Sequence, residues 1–136
     1  MKATNMEKEL LKEILAEKKE EEETRKFEVA LYVINEATGE HYEPYRKMVD
    51  ALKSEFSIPT EKLVKLIAHS EKPVIDKDNL EKEVINFLET TAKVAATPKE
   101  FSNLVVTYEK VFDLKDEVVS EIVFKENMKM MNKLFH

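Results

Sequence analysis

Apolar positions along this chain recur mostly every third or fourth residue, the spacing that gathers side chains on one face of a helix. The clearest case runs from Asp78 to Ala96, where Leu80, Val84, Phe87, Leu88, Thr91, Val94 and Ala95 share a face. Asp78 stands where an N-cap belongs, with Glu81 placed to close a capping box. Pro98 disfavours helical geometry at Thr97 and ends the element. Small residues near its end, Thr90, Ala92 and Ala96 among them, let a second helix approach closely. This helix is therefore expected at the centre, with neighbours on more than one side.

The same pattern predicts helices on either side. Thr4 to Arg25 carries Met6, Leu10, Leu11, Ile14 and Leu15 as a stripe, which then vanishes into the charged run Glu17–Glu23. That run is either a solvated helical extension or a tether. Pro44–Phe56 and Thr60–Ser70 read as two short helices separated by Pro59. Thr97, Pro98 and Glu100 form a second strong start, followed by Phe101, Leu104, Val105, Tyr108 and Phe112 on one face. A last helix begins near Leu114 or Lys115 with Val118, Val119, Ile122 and Val123, and its apolar face then drifts to Phe124, Met128, Met131, Leu134 and Phe135.

One stretch changes character. Phe27, Val29, Leu31 and Val33 alternate within a run rich in β-branched and aromatic residues, the signature of a strand. Gly39 suits the turn and His41–Tyr45 a short return strand, which predicts a β-hairpin over about 27–45. The competing reading is a helix from Thr24 to Ala37 that Gly39 terminates, because short apolar runs do not discriminate. The fold expected is mainly α: a compact bundle of five to six helices with that one hairpin. It forms a single domain over 1–136, with 1–26 as a charged helix or arm.

Composition sharpens this. With one glycine and four prolines in 136 residues, a turn-rich sheet fold is disfavoured. There is no cysteine, so disulfides, thiolate nucleophiles and cysteine metal sites are out. No apolar run approaches the length that spans a bilayer, and the charged first residues are not a secretory signal. A soluble, cytoplasmic protein without membrane association is expected. The net charge of −6 opposes general nucleic-acid binding, which Lys and Arg drive.

Catalytic chemistry finds no pattern. His41, His69 and His136 are far apart and make no helical metal pair. The serines sit in no nucleophile elbow, and one glycine cannot build a phosphate loop. No enzyme activity, cofactor or metal is expected. Residues 98–126 have the outline of a helix–turn–helix, but the second helix opens on Lys115-Asp116-Glu117, acidic where base-reading side chains should be.

The suggestive stretch is the C-terminus. Lys125, Lys129 and Lys133 repeat every fourth residue, beside an adaptable stripe of Met128, Met131, Leu134 and Phe135. These residues either pack on Met6, Leu10 and Ile14 to complete the core, with the lysines against Glu17–Glu23, or they meet a partner protein or a second copy. The expected function is a non-enzymatic interaction factor: an assembly chaperone, adaptor or inhibitor, by analogy of size and composition with small acidic helical proteins of phages and other mobile elements. The alternative is a small nucleic-acid regulator using 98–126.

Overall fold

From Asn5 to Thr38 the chain has neither glycine nor proline, so nothing interrupts the i→i−4 hydrogen-bond ladder. In the computed structural model, which describes residues 5–39 and 42–135 and gives Tyr42 and Phe135 without their side chains, this stretch is one helix. That helix, α1 (Asn5–Thr38), has 34 residues and is roughly 51 Å long. It is followed by α2 (Tyr42–Ser54), α3 (Thr60–Ala68), a 3₁₀ turn (Lys77–Asn79), α4 (Leu80–Val94), α5 (Pro98–Val111) and α6 (Asp116–Phe135). No strand occurs among the described residues.

The expected hairpin is therefore replaced by the competing helix. Phe27, Ala30, Leu31, Ile34 and Thr38 are buried at helical spacing, and Val29 and Val33 are buried beside them. A helix covered on several sides is apolar around most of its circumference, and such a run contains strand-like alternation by accident. The β-branched residues lower helix propensity by only a few tenths of a kcal/mol each, while each buried side chain gains about 1.5–3 kcal/mol. Burial decides the conformation. Gly39 then ends α1 at φ +57°, its N–H donating to the Asn35 carbonyl at 3.1 Å, as in a left-handed helix cap. His41, proposed for the return strand, lies outside the described residues, as does His136.

Two helices organise the core. The second half of α1 touches α2, α4 and α5, and α4 touches α1, α2, α5 and α6, which gives α4 the neighbours its small residues anticipate. Between them Phe87 of α4 stacks on Tyr108 of α5, ring centroids 3.9 Å apart and nearly parallel. Phe112 meets Tyr108 edge-on at 5.3 Å, Tyr32 of α1 reaches Phe112 at 6.3 Å, and Phe27 meets Phe56 edge-on at 6.4 Å. Met48, Val49 and Leu52 of α2 and Val119 and Ile122 of α6 close the same cluster. Leu88 is only half-buried, so the stripe of α4 is anchored by Val84, Phe87, Thr91 and Val94. The Tyr108 hydroxyl, fully buried, has no hydrogen-bond partner among the described residues.

The caps differ in how closely they follow the pattern. Thr97 accepts from the Glu100 N–H at 3.1 Å, with Pro98 in the first turn, as expected. The Glu100 carboxylate reaches back one residue further, to the Ala96 N–H at 2.8 Å. Asp78 does not cap α4. Asp76 does the capping two residues earlier, accepting from the Asp78 N–H and the Asn79 amide to start the 3₁₀ turn that leads into Leu80. At the end of α5 the Leu114 N–H reaches the Glu109 carbonyl at 2.8 Å and the Asp113 N–H the Lys110 carbonyl at 3.4 Å. This is a Schellman cap with Asp113 at φ +53° in the position that favours glycine.

Both left-handed caps can be tested by substitution. Gly39→Ala should lower stability by about 1 kcal/mol, because a Cβ there meets no atom within 4 Å and only the backbone conformation is penalised. Asp113→Gly should raise stability by about 0.5–1 kcal/mol for the converse reason. Urea unfolding of the two variants is expected to shift in opposite directions.

Candidate functional site

Only part of α1 and α6 is used by the core. Arg25 marks where α1 leaves it: the guanidinium donates to Glu83 of α4 at 2.9 Å and to the Val74 carbonyl at 2.6 Å. Lys62 of α3 holds Glu20 at 3.1 Å, and every residue from 5 to 19 is exposed. The charged run Glu17–Glu23 is thus a helical extension of the bundle and not a tether. Met6, Leu10 and Ile14 ride outward on it, with Met6 81 % exposed, and Leu11 and Leu15 are exposed beside them.

Helix α6 is apolar on two faces. Val119 and Ile122 enter the core, while Phe124, Met128 and Met131 lie roughly half a turn around the helix and face solvent. Phe124 is 64 % exposed although it stands in the middle of the element. Met130 and Leu134 are exposed as well; Phe135 is the last residue of α6, and its side chain is outside the described set. The lysine row lies to one side. Lys125 pairs with Glu121 at 3.5 Å and Lys129 with Glu81 of α4 at 3.2 Å, while Lys133 is exposed in the last turn.

The predicted site residues therefore form two stripes that do not close on each other. Neither completes the core, and the lysines pair with Glu121 and Glu81, not with Glu17–Glu23. The structure does bring the roots of the two stripes together. Arg25 and Lys129 are held by Glu83 and Glu81, neighbours in the first turn of α4, so both helices project from the same end of the bundle. Arg25, Glu83 and Phe124 are missing from the sequence-derived set. Phe124 was detectable, since it precedes Met128 and Met131 by four and seven residues and is offset from Val119 and Ile122.

A cleft of about 240 Å³ lies at the root of the arm, lined by Glu22, Arg25, Lys26 and Val29 of α1, Asp76 and Asn79 at the 3₁₀ turn, and Lys82, Glu83, Asn86 and Phe87 of α4. Its charges are balanced, and Arg25 is committed to Glu83 and Val74. No group of His, Asp and Glu suited to a metal ion occurs among the described residues. His69 is exposed at the end of α3. No helix among the described residues is long and apolar enough to cross a membrane. In the 98–126 unit, the first turn of α6 presents Asp116 and Glu117.

Among the described residues, Glu109 is the one carboxylate that is buried. Burial pushes its pKa up, and the hydrogen bond to Asp116 and the charges of Asp116 and Glu117 push it the same way. Comparison with protein-family models, characterised proteins and solved structures gives no match.

The raised pKa of Glu109 has a definite sign for stability. The native state favours the protonated form, so the contribution is full below the unfolded pKa of about 4.3 and is lost as the pH rises through the folded value. Glu109→Gln should accordingly raise Tm at pH about 7 and leave it nearly unchanged at pH about 4. Thermal unfolding followed by circular dichroism at the two pH values measures the difference.

Proposed function

We propose that this chain is a non-enzymatic interaction factor, of the assembly-chaperone, adaptor or inhibitor kind, that docks an apolar helical surface onto another protein chain. The observation that supports the reading is the outer face of α6. Phe124, Met128 and Met131 are exposed on the side opposite the core, where the fold makes no use of them. Placing large apolar side chains in water forgoes about 1.5–3 kcal/mol each, which a covering partner recovers. Methionine adapts its shape to the surface it meets, which suits a docking face. The row of Lys125, Lys129 and Lys133 would favour a partner with an acidic rim and speed its approach.

The second apolar stripe, on the arm of α1, leaves the same end of the bundle, beside the first turn of α4. A single binding protein could engage both.

The test is capture by the full chain, with crosslinking to locate the contact. Met128→Asp combined with Met131→Asp should abolish capture and leave Tm within a few degrees of wild type, since both side chains already face solvent. Undiminished capture by this variant would sink the reading. So would a collapse of Tm, which would place the two methionines in the core.

A further inference from the structure

We infer that the partner fitted to this surface is a second copy of this chain, the α1 arm of each copy lying on the outer face of the other's α6. This rests on the docking reading above and names its occupant.

The chain's own arm cannot cover that face. Lys129 turns one side of α6 toward α4, where Glu81 holds it, and Phe124, Met128 and Met131 point the other way. Arg25 fixes the root of the arm on the α4 side, at Glu83. Reach fails as well. The arm is unbroken helix, so Leu15 lies about 15 Å beyond Arg25 and Met6 about 28 Å, whereas Met131, the last of the three outward residues, lies only about 3 Å beyond Lys129. The apolar stripe of the arm begins well past the face it would have to cover.

A second copy removes both obstacles. Met6 to Leu15 spans about 14 Å of helix and Phe124 to Met131 about 10 Å, so the two stripes match in length. Their charges are opposite. Between residues 5 and 23 the arm carries eight glutamates against four lysines, while α6 from 124 to its end carries three lysines against one glutamate. Lys125, about 60° around α6 from Met128, flanks the stripe, and its exposed pair with Glu121 contributes little and exchanges readily for a glutamate of an incoming arm. Reciprocal exchange about a two-fold axis, each arm on the other chain's receiving face, closes after two chains and leaves neither stripe in water.

Sedimentation velocity of the full chain tests this with two variants, Leu10→Asp with Ile14→Asp on the arm and Met128→Asp with Met131→Asp on α6. The wild type is expected as a dimer that weakens as salt rises. Each variant alone is expected as a monomer with unchanged helical circular dichroism and Tm. Mixing the two should restore a heterodimer, because the intact arm of one chain still fits the intact α6 of the other. A wild type that remains monomeric across the micromolar range overturns the inference. So does a mixture that stays monomeric while the wild type dimerises, since that pattern belongs to like-with-like pairing. If the wild type is monomeric and still captures another protein through Met128 and Met131, the second copy is refuted and the docking reading stands. Loss of both dimer and capture refutes both.

Discussion

Helix α1 cannot fold back on itself, and most of the molecule's character follows from that. Its second half is buried among α2, α4 and α5, with Phe27, Ala30, Leu31, Val33 and Ile34 almost wholly removed from water. Its first half continues along the same axis with no glycine or proline to turn it. The burial that fixes Phe27–Thr38 therefore also fixes where Met6–Leu15 must go, which is outward. Isolated helices are only marginally stable in water, so the arm depends on its covalent continuity with the core and on ties such as Lys62 to Glu20. A stripe of five apolar residues on such an arm has no use in the fold.

The end of α4 from which the arms depart carries ion pairs to both α1 and α6. Glu81 and Glu83 hold Lys129 and Arg25, and Arg25 also satisfies the Val74 carbonyl. Behind them Tyr108 is fully buried, stacked on Phe87 with an unpartnered hydroxyl. Burial holds that phenol well above its ordinary pKa, Glu83 raises it further and Arg25 opposes the rise. The aromatic stack fixes α4 against α5, and the ion pairs on its flank mark the points at which α1 and α6 leave. The core and the projecting surface are thus joined at one turn of one helix.

How much of this was legible in the sequence varies by element for physical reasons. The start of α5 was readable because Thr97, Pro98 and Glu100 act locally, through bonds within one turn. The start of α4 was misplaced by one residue, Asp78 being read as the cap where Asn79 stands, because the 3₁₀ turn capped by Asp76 intervenes. Phe27–Ile34 was misread as a strand because burial on several sides erases the helical period that identifies a half-exposed helix. Of the candidate surface, the Met and Lys rows were legible as spacing. Spacing also grouped Phe124 with them, but that the stripe faces away from Val119 and Ile122 became clear only once the inner face of α6 was known.

The central claim is that a buried core and an uncovered arm share one helix. Amide hydrogen exchange of the dilute full chain measures it directly, residue by residue along α1. Amides from Phe27 to Ile34 should exchange only with global unfolding, while those from about residue 6 to 19 should exchange orders of magnitude faster and slow down as the concentration or a bound partner rises. Equal protection of both halves in dilute solution would contradict the account, because it would mean that Met6–Leu15 is already buried within its own chain.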